Sequence, residues 1–175
     1  MRTDRSNTVV VGVDGSRASL AALTAALTEA APQRREVEVV TVWAAPVTEP
    51  AQDGGLFLSR AARRRALRVQ TMATALATRR AGVRVPVTGV LLDGDPAEIL
   101  VQASAGASEL VVGAPRSGTR DTGPTASVTH RCLSDAACPV RVVPAHALGG
   151  SAWESPVAAG ATEHIHDGGL SHVGS

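Results

Sequence analysis

The chain has 175 residues and a formal net charge of +1, so it lacks the strong field that would attract nucleic acid or an anionic membrane. All 17 basic residues are arginine, and the absence of lysine and tyrosine excludes a Walker-A lysine, a Schiff-base lysine and a tyrosine acid or base. Because 44% of the residues are hydrophobic but only 2% are aromatic, the core must consist of Val, Leu, Ile and Ala, which suits a buried parallel sheet under helices.

The start of the chain and its cysteines bear on the cellular compartment. The polar segment Met1–Thr8 leads into an apolar stretch that is too short for a signal peptide or a membrane span. Cys132 and Cys138 lack C-x-x-C spacing, and two cysteines are too few for a disulfide framework. We therefore expect a cytoplasmic protein with two reduced, mostly buried thiols; a redox role for the pair is the alternative.

A strand and a helix come first in chain order. The apolar run Val9–Val13 predicts a buried strand that ends in a turn at Asp14. Ser16 is a favourable N-cap, and apolar residues at every third or fourth position predict a helix over Arg17–Ala31. We expect Pro32 to end this helix.

The middle of the chain continues the alternation. Val37–Trp43 predicts a second strand, and Ala44–Gly55 predicts a surface loop that is long for its type. Leu56–Ala81 contains no helix breaker and predicts a long helix, with Gly82 as its C-cap. The valines and leucines of Val83–Leu92 predict a third strand region.

Two further strands and two helices complete the predicted domain. Asp95 is a favourable cap for a helix that ends near Gly106, and Glu109–Gly113 predicts the fourth strand. After a loop, a short helix is expected from Thr125 or the next residue to Ala136. Cys138–Val143 predicts the fifth strand.

The order of elements predicts an α/β fold: a doubly wound, five-stranded parallel sheet with helices on both faces. Residues 145–175 are rich in Gly, Ser, Ala and His and have no apolar period, so we expect a disordered tail there. His164 and His166 lie in this tail, where nothing preorganises them for a metal ion. We therefore expect no metal site.

Two clusters at predicted strand ends are candidates for chemistry. Asp14 could bind the sugar or base of a nucleotide, but a turn-forming and helix-capping role explains its presence as well and is favoured. In the second cluster, Gly113 would let a ligand approach the backbone, and the hydroxyls of Ser127 and Thr129 lie at a helix start that suits phosphate. An ordinary flexible crossover is an equally good interpretation of the second cluster.

The chain resembles the universal stress protein family in four segments that follow the family's order and spacing. They are Val9–Ser16 (VVVGVDGS), Gly94–Ala97 (GDPA), Val111–Gly113 with its loop, and Cys138–Val143 (CPVRVV). The resemblance covers residues 8–144, nearly the whole predicted domain. It implies a strand order of 3-2-1-4-5 and, usually, a homodimer.

ATP-binding members of this family carry glycine, two residues, glycine, nine residues, and then glycine followed by serine or threonine. In this chain Gly113 matches the first glycine, but Arg116 and Ala126 stand at the other two, and Ser127 keeps the hydroxyl. Arg116 could block the loop or fold over a triphosphate as an anion clamp. Ala126 adds one methyl group, which costs little if its φ is negative.

The resemblance implies an adenine and ribose pocket formed by Val13, Asp14, Val42 and Val112. It implies a phosphate site formed by Gly113, Arg116 and Ala126 and by the segment Ser127, Val128 and Thr129.

The expected function is that of a stress-response protein that binds ATP, with Mg²⁺, weakly or in a regulated way. The alternative is a dimeric interaction protein of the same fold that binds no nucleotide. We expect no catalytic residues and at most slow incidental ATP hydrolysis. The homodimer is expected to form through the last strand, Val140–Val143, which would lie at a sheet edge.

Five arginines crowd the predicted long helix at positions 60, 63, 64, 65 and 68. Arg60, Arg64 and Arg68 share one stripe of the helix. A site for RNA or for an acidic partner is one interpretation, but no aromatic residue is interleaved for base stacking. A solvated helix face is favoured, and we expect no nucleic-acid partner.

Overall fold

The computed structural model describes residues 5–44, 54–114 and 124–148. Within these ranges strands and helices alternate along the chain. The elements are β1 (Thr8–Gly12), α1 (Arg17–Gln33), β2 (Glu36–Trp43), α2 (Gly54–Ala81), β3 (Val87–Asp93), α3 (Pro96–Ala103), β4 (Glu109–Gly113), α4 (Pro124–Asp135), β5 (Val140–Val143) and a 3-10 turn (Ala145–Leu148).

The strands form one parallel sheet in the order β3-β2-β1-β4-β5, which confirms the predicted fold and strand order. The order reverses between β1 and β4. Successive parallel strands need crossover connections, and these place α1 and α2 on one face of the sheet and α3 and α4 on the other.

β1 contributes to both layers of the core because successive side chains of a strand point to opposite faces. Val9 and Val11 pack with the leucines of α1, and Val10 packs with Leu100 of α3 and Leu110 of β4. All three valines are buried. Aliphatic side chains thus fill both faces, as the composition requires.

Both predicted helix caps are confirmed. The Ser16 side chain accepts a hydrogen bond from the Ser19 amide (3.0 Å), and the Asp95 carboxylate accepts one from the Glu98 amide (2.9 Å). Each satisfies an amide that the first turn of its helix leaves unpaired. Gly82 has φ +64° directly after α2, as expected for the residue that ends the helix.

The prediction that Pro32 ends α1 is wrong by two residues. The helix includes Pro32 and is ended by Arg34, which adopts a left-handed conformation (φ 53°, ψ 36°). The amide of Arg35 donates to the Ala30 carbonyl (3.0 Å), and that of Arg34 donates to the Ala31 carbonyl (3.2 Å). These two bonds close the helix as a Schellman motif, which a proline within the last turn does not prevent.

The third strand is shorter than the predicted region. β3 begins at Val87, whereas Val83 and Val85 pack against the core without pairing. Val87 pairs with Val37 near the start of β2, and the Val37 amide donates to the Pro86 carbonyl (2.9 Å), so β2 is too short to pair with Val83 and Val85.

The predicted tail also begins later than expected. Ala145–Leu148 form a 3-10 turn, and Leu148 packs against the core beside α1. The disorder expected at the start of the tail is therefore wrong for these four residues. The remainder of that prediction, with His164 and His166, concerns residues 149–175, which lie outside the described ranges.

Both cysteines are free, and they differ in environment. Cys132 is fully buried in the α3–α4 core, and burial raises the pKa of its thiol to about 11. Cys138 is partly exposed, and burial also raises the pKa of its thiol.

We expect Ellman's reagent at pH 8 to label Cys138 about tenfold faster than Cys132, because Cys132 is fully buried and its reactive thiolate form is disfavoured there. Equal rates in the native protein would contradict this, and urea should abolish the difference.

Candidate functional site

A cavity of about 240 Å³ opens at the carboxyl ends of β1 and β4, where the strand order reverses. Its walls are mostly apolar. They comprise Val40 and Val42 of β2, Val112 of β4, Pro96 and Leu100 of α3, and Val128 of α4. A crevice at such a switch point is where doubly wound α/β proteins bind their ligands.

The polar side of the cavity is the turn between β1 and α1. One carboxylate oxygen of Asp14 accepts a hydrogen bond from the Ser16 amide (2.9 Å), and the Ser19 hydroxyl donates to the Ser16 carbonyl (3.0 Å). Asp14 therefore has the turn-forming role that we favoured. The Asp14 side chain is exposed. Asp14, Ser16 and Ser19 all line the cavity.

The direction of the β2 backbone brings further polar groups to the cavity. The Val40 carbonyl accepts a hydrogen bond from the Val13 amide of the central strand (2.9 Å). Because residues two apart in a strand direct their backbone groups to the same side, the N–H and C=O of Val42 point the same way. β1 has already turned away at Asp14, so these two groups face the cavity.

Gly113 has a structural role that the sequence analysis did not foresee. A Cβ on this residue would lie 2.6 Å from the Ala18 carbonyl carbon and 2.7 Å from the Ser19 amide nitrogen. The missing side chain therefore makes room for the backbone of α1. Gly113 also lines the cavity, but close packing of α1 on β4 suffices to explain the glycine.

We expect Gly113→Ala to destabilise the protein without any ligand, by about 3 kcal/mol, because the added methyl group meets backbone atoms that cannot rotate away. Urea unfolding of the nucleotide-free protein measures this. Gly82→Ala is the control, since its Cβ would contact nothing within 4 Å and only the left-handed conformation costs about 1 kcal/mol. A smaller loss of unfolding free energy for Gly113→Ala than for Gly82→Ala would show that α1 shifts to make room for the added methyl group.

The start of α4 forms the far end of the cavity. The buried Thr129 hydroxyl donates to the Gly113 carbonyl (3.3 Å), which links α4 to the end of β4. Ala126 and Ser127 lie in the first turn of α4, where backbone amides have no partner within the helix. A helical backbone has negative φ, so alanine at position 126 carries no left-handed strain. The side chains of both residues lie outside the described part of the structure, and so does all of Arg116.

The structure thus brings together every predicted site residue whose side chain it describes. Val13, Asp14, Val42, Val112, Gly113, Val128 and Thr129 all line the one cavity. Pro96 and Leu100 were missed by the sequence analysis. The signal for them was Asp93-Gly94-Asp95, a third strand end that the topology carries to the same edge of the sheet.

The described lining is poor in groups for acid–base or metal chemistry. Asp14 is its one titratable side chain. No cluster of three or more metal-ligating side chains occurs in residues 5–44, 54–114 and 124–148. In the same ranges no helix is long and apolar enough to span a membrane.

The fold is that of an α/β protein of the doubly wound class, with a cavity at the switch point of its sheet. The family model described as "Universal stress protein family" matches residues 6–144. The chain therefore belongs to the universal stress protein family, as its sequence motifs indicated. Among curated proteins, none shows significant sequence similarity to the chain.

Solved structures with this fold include several universal stress proteins. One from Burkholderia pseudomallei is 31% identical, with a TM-score of 0.61 over 81% of this chain and 98% of that one. UspA from Lactobacillus plantarum is 20% identical, with a TM-score of 0.64 over 81% and 99%. A universal stress protein in complex with cAMP is 26% identical, with a TM-score of 0.56 over 78% and 96%.

Proposed function

We propose that the cavity binds an adenine nucleotide and that this cytoplasmic stress-response protein acts through its nucleotide-bound state. The observation that carries the proposal is the convergence of seven residues, from Val13 to Thr129 in the sequence, on one cavity at the switch point. The related structure that holds cAMP supports the choice of an adenine nucleotide.

The size and polarity of the cavity suit a nucleoside. At about 240 Å³ it lies just below the roughly 300–1,000 Å³ of sites that enclose drug-sized ligands. It therefore fits a base and a sugar, while phosphates would extend past Thr129 along the first turn of α4. The apolar walls would contact the faces of the base, and the N–H and C=O of Val42 would pair with its edge.

Asp14 is the residue we assign to the ribose. Its carboxylate already accepts one hydrogen bond within the turn, and it is exposed at the mouth of the cavity. A second oxygen of a carboxylate has further acceptor capacity for a sugar hydroxyl. The turn does not need the charge, since asparagine supports the same turn geometry.

We expect Asp14→Asn to weaken ATP binding about tenfold while leaving stability unchanged, because a charge-assisted hydrogen bond to the ribose becomes a neutral one. Isothermal titration calorimetry with ATP measures this. 2′-Deoxy-ATP serves as the control ligand: it should bind the unaltered protein less tightly than ATP, and Asp14→Asn should weaken it less than it weakens ATP. Tighter ATP binding by Asp14→Asn would instead show that the carboxylate repels the phosphates.

A magnesium ion would bind together with ATP rather than at a preformed site on the protein. The described lining offers one carboxylate, whereas Mg²⁺ is commonly bound through substrate phosphates, water and one or two protein oxygens. The hydroxyls of the cavity are suitable oxygen donors for that role. Hydrolysis of bound ATP is proposed to be slow and incidental, because the described lining holds no histidine or lysine to activate water.

The second candidate is a dimeric interaction protein with no bound nucleotide, favoured by Arg116 and Ala126 at two glycine positions of the ATP motif. The double variant Arg116→Gly, Ala126→Gly separates the two candidates. If the arginine blocks the site, ATP binding should appear only in this variant. Binding by the unaltered protein would support the first proposal, and absence of binding by both proteins would remove it.

The homodimer is proposed to form through β5, which is an edge strand of four residues. Ala114 donates to the Val143 carbonyl, and Leu110 donates to the Pro139 carbonyl, so odd-numbered residues of this segment face β4. The backbone groups of Val140 and Val142 therefore point outward from the sheet, where a second copy of the strand can pair with them.

We expect Val142→Pro to convert the dimer to monomer, because it removes an outward amide without touching a bond to β4. Light scattering coupled to size exclusion measures the mass, and circular dichroism verifies the fold. A monomeric unaltered protein at micromolar concentration, or a dimer that Val142→Pro leaves intact, would contradict the β5 interface.

A further inference from the structure

The charge of this chain is strongly segregated. α2 carries seven arginines and no acidic residue over its 28 positions. The rest of the sequence holds ten arginines against 16 acidic residues, a net charge of −6, so the overall value of +1 combines a basic helix with an acidic remainder. This separation exceeds what solubility requires, since mixed charges keep a surface soluble as well.

The arginines of the first half of α2 are exposed. These are Arg60, Arg63, Arg64, Arg65 and Arg68. The ion pairs of Arg5, Arg131 and Arg141 all lie outside α2. The five guanidinium groups thus form a cationic surface about 12 Å long, given the rise of a helix.

Two large, exposed apolar side chains adjoin this cationic surface, one within it and one a turn beyond its end. Leu67 is 47% exposed and Met72 is 46% exposed. Leu67 lies one turn from Arg63 and Arg64, and Met72 lies one turn from Arg68. We use the name α2 patch for these side chains together, and it comprises Arg60, Arg63, Arg64, Arg65, Leu67, Arg68 and Met72.

The α2 patch is held rigidly. Buried Gln70 donates to the Val39 carbonyl (3.0 Å) and to the Val90 carbonyl (2.8 Å), which fixes α2 on β2 and β3. Val69 packs against Gly15, where a Cβ would approach its Cγ1 to 2.9 Å. A surface built on a fixed helix orients its side chains without the entropic cost of ordering a loop.

We propose that the α2 patch is a docking surface for an acidic, amphipathic segment of a partner protein. Guanidinium groups recognise carboxylates in bidentate geometry, and the apolar residues would bury against leucine-like side chains of the segment. A long nucleic acid fits less well, because the described residues outside α2 hold nine acidic residues against seven arginines and so offer it no cationic path away from the patch. No aromatic side chain of the patch offers base stacking either.

Fluorescence anisotropy at physiological salt tests this with a labelled 18-residue peptide made of Glu, Leu and Ala in helical alternation. The variant Arg60→Gln, Arg64→Gln, Arg68→Gln should weaken binding about tenfold, since each exposed pair contributes modestly. Glutamine preserves helix propensity. Absence of binding by the unaltered protein at about 100 µM peptide would overturn the proposal.

The matched control removes the same charge from the other end of α2 and its following loop. This control is the triple variant Arg79→Gln, Arg80→Gln, Arg84→Gln, and it should change the affinity for the peptide less than twofold. An equal loss of affinity in both triple variants would show that the peptide binds by non-specific charge attraction and would overturn the proposal. Leu67→Gln, Met72→Gln should weaken the amphipathic peptide but not poly-glutamate of equal length. If an 18-nucleotide single strand binds more tightly than the peptide, the patch is a nucleic-acid site rather than a protein-docking site, and the proposal is overturned.

Discussion

The close approach of α1 to the end of β4 is the contact on which the site depends. Gly113 permits it, because any side chain there would overlap the backbone of Ala18 and Ser19. The contact holds the first turn of α1 beside the point where the strand order reverses. Ser16 and Ser19 therefore face the same cavity as Val112 and Thr129, although three crossovers separate them in the chain.

The same contact changes how a glycine of the family's ATP motif is understood. A glycine beside a ligand site is readily explained by the space that the ligand needs. Here the backbone of α1 already fills the space that a side chain at Gly113 would take. The other two glycine positions of the motif, which hold Arg116 and Ala126, must therefore be considered separately from Gly113. Position 126 lies in a helical turn that tolerates alanine, so whether the proposed phosphate site is open depends on the arginine.

The two surfaces proposed to be functional have opposite chemical character. The described lining of the cavity is mostly apolar and carries one carboxylate, whereas the α2 patch is mainly cationic. Both lie toward the carboxyl ends of the strands, because α2 begins there and Val69 packs against the turn after β1. A stress protein that binds a nucleotide in one surface and a partner on the other would have both within one rigid domain.

The sequence by itself determined the fold class and most element boundaries. Aliphatic runs of strand length alternate with helical patterns, and parallel pairing with crossovers is the arrangement that buries them. Local chemistry also fixed the caps at Ser16 and Asp95, which depend on residues three positions away. The boundaries at Pro32 and Val83 failed because they depend on a Schellman closure and on the length of the pairing strand.

Only the tertiary structure decided what the site residues do. The role of Gly113 depends on Ala18 and Ser19, and the cavity wall depends on Pro96 and Leu100, all distant in the chain. Backbone direction at Val42 likewise depends on where a neighbouring strand ends. Sequence patterns report a residue's own periodicity, whereas close approach between elements is set by packing, so the physical reason for a glycine or a leucine appears only once its neighbours are in place.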